Sequence, residues 1–232
     1  MRKNLRNVFE EKSWAGRNRS TPRSGPGSTL EQTRQLRAAL PRVFDQYGVK
    51  TFLDAPCGDW FWMQHVDLSG LTYIGGDISK EVIDANAAEF TSPGVSFLHL
   101  DITSDPLPAA DMIMCRDCLM HLKNWLRWAF FANFVASDAK YLMTTVHHVL
   151  DNKAVVNNGG FKRFNPAAPP FNFAPALELI PETAATLDAY ILENRIAAPE
   201  HRSVGIWSKQ QVFDALTRRA AAEKELSNET LL

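Results

Sequence analysis

Cysteine is scarce, with three in 232 residues. An odd, sparse count supplies no disulfide framework and predicts free thiols in a reducing compartment. A cytoplasmic location is therefore the expectation, and the Asn228-Glu-Thr230 sequon carries no weight. Surplus charge of one sign is also lacking: the formal net charge is −1. That leaves no cationic excess to neutralise a run of phosphates, so a nucleic-acid partner is disfavoured. No apolar run approaches the length of a membrane span. The basic N-terminal residues Arg2, Lys3, Arg6, Arg17, Arg19 and Arg23 are not followed by an apolar h-region, so neither a membrane anchor nor a signal peptide is expected. No internal repeat is present, and biased composition is confined to the first 28 residues. What the chain does have is a composition of 45% hydrophobic and 22% charged residues, enough to bury the core of one α/β domain.

Residues 1–28 mix Arg, Ser, Gly and Pro and end in Arg23-Ser-Gly-Pro-Gly-Ser28, which reads as a flexible arm able to close over a ligand. The domain proper is expected over 29–222, with 223–232 as a polar, fraying tail. Ser28 with Glu31 has the spacing of a capping box, predicting a helix over about 29–40 that Pro41 breaks or restarts. After Gly48, strand and helix patterns alternate. Strands are predicted near 50–54, 72–76, 95–100, 111–115 and 140–146. Helices are predicted at Trp60–Val66, at Lys80–Phe90 behind a Ser79 cap, and in the Trp- and Phe-rich stretch around 125–134. This alternation predicts a doubly wound, mostly parallel sheet with helices on both faces. From Asp151 to Glu182 the chain holds two glycines, five prolines and four phenylalanines without helical period. Residues 151–202 are read as a substrate-side insertion: a long loop or hairpin, then a helix near 183–194. A strand at Ser203–Trp207 and a closing helix after Ser208 follow.

Three apolar runs end in a carboxylate: Thr51-Phe-Leu-Asp54, Tyr73-Ile-Gly-Gly-Asp77 and Phe97-Leu-His-Leu-Asp101. Carboxylates at successive strand ends can accept hydrogen bonds from ribose hydroxyls and an exocyclic amine across one sheet edge. The first turn, Asp54-Ala-Pro-Cys-Gly58, keeps a glycine where backbone must approach a ligand. It lacks the G-x-G-x-x-G spacing that seats a pyrophosphate on a helix N-terminus, and Pro56 removes a donor. An adenosine-bearing cofactor without pyrophosphate fits these residues better than a dinucleotide. Asp77 is the candidate for the ribose hydroxyls. Asp101 is the candidate for the adenine amine, with Ile102 against the ring.

On Leu53-Asp-Ala-Pro-Cys-Gly58, Gly76-Asp77-Ile78, Leu100-Asp101-Ile102 and Asp111-Met-Ile-Met-Cys-Arg-Asp-Cys-Leu-Met-His-Leu122, residues 48–150 resemble a class I S-adenosylmethionine-dependent methyltransferase. Two glycines of that family's first motif are replaced here, by Pro56 and Trp60. Trp14, Arg23–Ser28, Pro169-Pro-Phe171 and Gly205-Ile-Trp207 are similar to a little-characterised bacterial branch of it, a likeness that assigns no substrate. The resemblance implies a Rossmann-like, seven-stranded sheet with one antiparallel strand and S-adenosyl-L-methionine as cofactor. It implies cofactor contacts from Asp54, Ala55, Cys57, Gly58, Asp77, Ile78, Asp101, Ile102 and Arg116. Arg23 and Gly25 of the arm would lie near the methionine carboxylate, with Trp14 over the adenosine.

Methyl transfer to an alcohol needs an aligned nucleophile, exclusion of water and a base for the leaving proton. The candidates are His121, His147 (or its neighbour His148) and, close by, Asp117. Asn157–Asn165 and Pro169–Phe173 form the acceptor-side segment, where Lys162 and Arg163 favour an acidic or polyhydroxylated acceptor and Phe161, Phe164, Phe171 and Phe173 either wall the site or anchor the loop. Cys115-Arg-Asp-Cys118 with His121 lacks the second ligand cluster that a zinc site needs, so no metal is expected. The expected reaction is O-methylation of a small-molecule or glycan-like acceptor. Two alternatives stay open: an NAD(P)-dependent oxidoreductase on a Rossmann sheet, and a non-catalytic cofactor-binding subunit. The sequence does not set the oligomeric state.

Overall fold

A computed structural model of the chain describes Leu5, Phe9, residues 22–182 and residues 198–229. The expected helix near 183–194, Trp14 and most of the arm lie outside the described residues. Seven strands form one sheet: β1 Thr51–Asp54, β2 Thr72–Asp77, β3 Val95–His99, β4 Met112–Cys115, β5 Tyr141–His148, β6 Glu178–Pro181 and β7 Ala198–Ser208. Their order is β3-β2-β1-β4-β5-β7-β6. β1 to β5 run parallel, and β7 lies antiparallel to both β5 and β6. Among the continuously described residues, four helices flank the sheet: α1 Arg34–Gln46, α2 Lys80–Phe90, α3 Asn124–Ala136 and α4 Lys209–Glu229. The doubly wound α/β expectation and the antiparallel final hairpin both hold. β4 is buried at every position, as a central strand covered on both faces must be. The hairpin partner β6 lay inside the stretch read as loop, because four residues with a proline carry no period. α4 continues to Glu229, past the expected fraying point.

Two helical expectations are corrected. Pro26-Gly-Ser28 forms a 3₁₀ turn with Pro at its start, and α1 begins only at Arg34, so Ser28 and Glu31 form no capping box. α1 also runs through Pro41. A mid-helix proline costs about 3 kcal/mol, but Leu36, Leu40 and Val43 are 0% exposed and Phe44 is buried beside them. Each such side chain returns roughly 1.5–3 kcal/mol, so the stripe outweighs the break. The helix expected over Trp60–Val66 shrinks to a 3₁₀ turn at Met63–His65. Its start is prevented by Trp60, whose φ of 51° is left-handed. This is where the family resemblance puts a glycine. The indole offsets that strain, about 1–2 kcal/mol, by packing on Tyr73, Phe90 and Phe97 at ring-centroid distances of 5.7, 4.9 and 5.5 Å.

The 151–177 segment is pinned to the domain. Asn152 Nδ2 donates to the carbonyls of Asn165, Ala168 and Pro169 at 2.8, 3.1 and 3.0 Å. Phe164, Phe171 and Phe173 sink into the core against Phe131 at 6.4, 5.8 and 4.8 Å. Three of the four phenylalanines are therefore anchors. Phe161 stays half exposed at 53%.

Candidate functional site

The C-terminal ends of β1, β2 and β4 open into a cavity of about 290 Å³. In a sheet of this type the crevice beyond the strand ends, where the strand order reverses, is where ligands bind. A more open groove of about 600 Å³ at the other end of the sheet, beside Tyr141, Ser208 and Phe213, holds no carboxylate or histidine.

The first wall is the turn after β1. Asp54 is buried and accepts a hydrogen bond from the Tyr73 hydroxyl at 2.8 Å. Burial pushes its carboxyl up to about 7, against the opposing influence of Tyr73 and Arg116. Gly58 has φ 56°, and its carbonyl accepts from Asn86 Nδ2 at 2.8 Å, which ties the turn to α2. A Cβ at Gly58 would come within 2.9 Å of Ser24 Cβ. Cys57 is buried, and desolvation raises its thiol well above the ordinary value. An inert thiol is the result.

Asp77 ends β2 and is 9% exposed. Its Oδ2 accepts from Gly58 N at 3.1 Å and its Oδ1 from Ser79 N at 2.9 Å. Burial raises its pKa, partly offset by these backbone donors. A carboxylate has about four acceptor positions, so capacity remains for two further donors. Ile78 borders the cavity, and its carbonyl accepts from His99 Nε2 at 2.8 Å.

The arm supplies the roof. Arg23, Ser24 and Ser28 line the cavity together with Phe9. Asp59 holds the first two: it accepts from the Arg23 backbone N–H and from Ser24 Oγ, the latter at 2.7 Å. Arg23 Nη1 lies 3.8 Å from Oε1 of Glu81, in the first turn of α2.

Arg116, Asp117, Cys118 and His121 follow β4 along the opposite wall. Asp117 takes a left-handed φ of 53°, and its backbone N–H donates to Thr145 Oγ1 at 2.8 Å. Burial would raise the Asp117 carboxyl, but Arg116 and Arg202 outweigh it and hold it below the usual range. Burial likewise works to lower Arg116, while Asp117 and Glu182 hold its pKa above normal. An anion clamped this way is a poor proton acceptor, although Asp117 borders the cavity as expected. His121 Nδ1 lies 2.7 Å from the Gly160 carbonyl. A carbonyl only accepts, so Nδ1 carries the proton and Nε2 is the basic nitrogen.

Four residues expected to contact the cofactor, Asp101, Ile102, Ala55 and Gly25, are not among those lining the cavity. Asp101 turns into its own loop, accepting from Thr103 N at 2.9 Å and Thr103 Oγ1 at 2.7 Å. Ile102 packs into the core. Ala55 and Gly25 do not border the cavity. His147 is buried off the cavity wall, and its Nδ1 accepts from Phe164 N at 3.3 Å. Desolvation lowers its pKa to about 4. Its Nε2 thus carries the proton, which makes the ring a donor and not the base expected from the sequence. His148 Nε2 is engaged with Ser203 Oγ at 3.0 Å. The sequence reading missed Asp59, Asn86, Glu182 and Arg202. Only Asp59, inside the glycine-bearing turn, had a local signal.

Residues 53–134 match the family model described as a methyltransferase domain. No curated protein matches the chain. Among solved structures, the chain is similar to magnesium protoporphyrin IX methyltransferase from Synechocystis with bound SAH, at 12% identity and a TM-score of 0.56, covering 88% of this chain and 99% of that one. The same protein with bound SAM matches at 10% identity and a TM-score of 0.54, covering 89% and 97%. An S-adenosylmethionine-dependent methyltransferase from Clostridium acetobutylicum matches at 15% identity and a TM-score of 0.43 over 52% of this chain, and the match spans 55% of that protein's length. Among the described residues no helix is long and apolar enough to cross a membrane. Residues 53–134 thus match a methyltransferase-domain model, and the chain has the fold of the class I S-adenosylmethionine-dependent methyltransferases.

Proposed function

We propose that the chain transfers a methyl group from S-adenosylmethionine to an oxygen of a small-molecule or glycan-like acceptor in a reducing, cytoplasmic setting, with His121 receiving the acceptor's proton. The observation that carries this reading is a contact: His121 Nδ1 lies 2.7 Å from the Gly160 carbonyl, so in the neutral ring Nδ1 is the donor and Nε2 the acceptor. His121 lines the same cavity as Asp77 and the Asp54–Gly58 turn.

The residues present fit the cofactor. A cavity of about 290 Å³ is at the lower end for ligand sites. One of its buried carboxylates, Asp77, keeps acceptor capacity for a pair of ribose hydroxyls. The methyltransferase-domain match and the missing G-x-G-x-x-G support this cofactor over a nicotinamide dinucleotide. When bound, it supplies a methyl group on a positively charged sulfonium. Asp77 would hold the ribose. The 54–58 turn with Arg23, Ser24 and Ser28 would hold the amino-acid end. Trp62 and Ile78 line the cavity with apolar surface and would exclude water. The adenine amine is left without the acidic partner expected at Asp101.

The acceptor would approach past His121 and the half-exposed Phe161, whose ring centroid is 5.8 Å from the imidazole. The segment 158–162 is fixed there: Gly159 N donates to His121 O at 2.8 Å and Lys162 N to Met120 O at 3.0 Å. The test is S-adenosylhomocysteine release from labelled cofactor across pools of hydroxylated acceptors. His121→Asn should lower kcat about 100- to 1,000-fold and leave S-adenosylhomocysteine affinity intact. Turnover by that variant at the wild-type rate refutes the base assignment.

A further inference from the structure

Four buried or half-buried charges close into a ring beside the cavity. Arg116 contacts Glu182 Oε1 through Nε at 2.8 Å and Nη2 at 2.7 Å. Glu182 Oε2 is 2.8 Å from Arg202 Nε, and Arg202 Nη1 is 2.9 Å from Asp117 Oδ2. Asp117 Oδ2 is 3.2 Å from Arg116 Nη1, which completes the circuit. Two cations and two anions alternate, so the ring carries no net charge. Its members come from three places: the turn after β4, the end of β6 and the interior of β7.

The arm rests on this ring. Arg116 Nη2 donates to the Gly27 carbonyl at 2.7 Å. A Cβ built on Gly27 would lie 2.6 Å from Asp117 Oδ2 and 3.1 Å from Arg202 Nη1. Only a glycine lets the arm approach so closely, and the next residue, Ser28, lines the cavity. With Nε and Nη2 of Arg116 engaged by Glu182 and Gly27, the guanidinium spends most of its donors on scaffolding.

We propose that Glu182 is a positioning residue for the cofactor site: by bridging Arg116 and Arg202 it fixes the seat on which Gly27 docks, and so holds the Arg23–Ser28 roof over the cavity. Glu182 touches no reacting group itself. The inference rests on the reading of this cavity as the cofactor site.

Two variants perturb the seat independently. Glu182→Gln removes one anion and leaves two arginines facing one carboxylate. Gly27→Ala keeps every charge and inserts a methyl group where Asp117 Oδ2 stands. Gly27 is not in the left-handed region, so its alanine variant acts through contact and not through backbone strain. S-adenosylhomocysteine binding is measured by calorimetry, its dissociation by stopped-flow tryptophan fluorescence, and arm docking by trypsin cleavage after Arg23, with melting curves alongside.

Each variant is expected to weaken binding about tenfold, mainly through faster dissociation, and to speed cleavage at Arg23. The double variant should lose less than the product of the two single effects, because both act on one seat. Folded variants with the wild-type dissociation rate and wild-type cleavage overturn the proposal, and so do fully multiplicative effects. If Glu182→Gln fails to fold, Gly27→Ala decides alone. A wild-type protein that binds no S-adenosylhomocysteine overturns the cofactor reading first and this inference with it, a result distinct from binding that the variants leave unchanged.

Discussion

Asp77→Asn separates the binding role of that carboxylate from its role in the fold. The side chain accepts one backbone N–H on each oxygen, from Gly58 at 3.1 Å and Ser79 at 2.9 Å. An asparagine has one acceptor oxygen, so its amide nitrogen must face one of those donors, and one bond is lost. Against that loss, the variant no longer buries a charge whose desolvation already raises its pKa. The two effects oppose, and fold stability should change by only about 1 kcal/mol. Binding has no such compensation. Hydrogen bonds to a charged acceptor contribute about 1.5–3 kcal/mol each, and a neutral amide retains at most one of the two expected from the ribose. The net loss is about 2–4 kcal/mol, or roughly 30- to 1,000-fold in the Kd for S-adenosylhomocysteine. Calorimetry gives the affinity and a melting curve checks the fold. A folded variant within about threefold of wild type would refute the ribose assignment.

Two further outcomes follow from groups around the site. Asp54 is raised from 3.8 to about 7 in the fold, so the folded protein keeps a proton that the unfolded chain loses. Its contribution to stability is full below about 4, declines as pH rises and is gone above about 7. His147, lowered from 6.5 to about 4, acts in the opposite sense, losing stability as pH falls below 6.5. Comparing Asp54→Asn with wild type cancels the histidine: the variant's relative Tm should climb between about pH 4 and 7 and level off above, and parallel curves would contradict the burial argument. Arg127 is 0% exposed on the inner face of α3, bonded to Leu119 O at 2.7 Å and Asn124 Oδ1 at 2.9 Å and stacked 4.7 Å from the Phe164 ring. Arg127→Ala should cost about 2–4 kcal/mol, lowering Tm by roughly 5–12 °C, while S-adenosylhomocysteine affinity stays unchanged. An unaltered Tm would show that its packing is dispensable.

The parallel sheet was readable because each of its strands is a short apolar run ending in a turn signal, and β4 is apolar throughout. The Ser79 cap was equally local, and its hydroxyl accepts from Val82 N at 3.5 Å. What the sequence concealed was decided by tertiary packing. Pro41 reads as a breaker, yet four buried apolar neighbours carry the helix through it. Trp60 reads as a helix residue, yet its aromatic cage fixes a left-handed turn. Asp101 looks equivalent to Asp77 by position, but Thr103 two residues later captures its carboxylate. The histidines differ in place and in what faces their ring nitrogens: His121 lines the cavity against a carbonyl, and His147 is buried against a backbone N–H. Glu182 and Arg202 lie 66 and 86 positions from Arg116, so no local pattern joins them.

The central claim is that the cavity beyond β1, β2 and β4 receives S-adenosylmethionine with Asp77 at the ribose. A crystal structure of the protein grown with S-adenosylhomocysteine tests it most directly. The account predicts the ribose hydroxyls on Asp77, the amino-acid end beneath Arg23–Ser28 and the sulfur opening toward His121 Nε2. Density elsewhere, or a ribose turned away from Asp77, would contradict it.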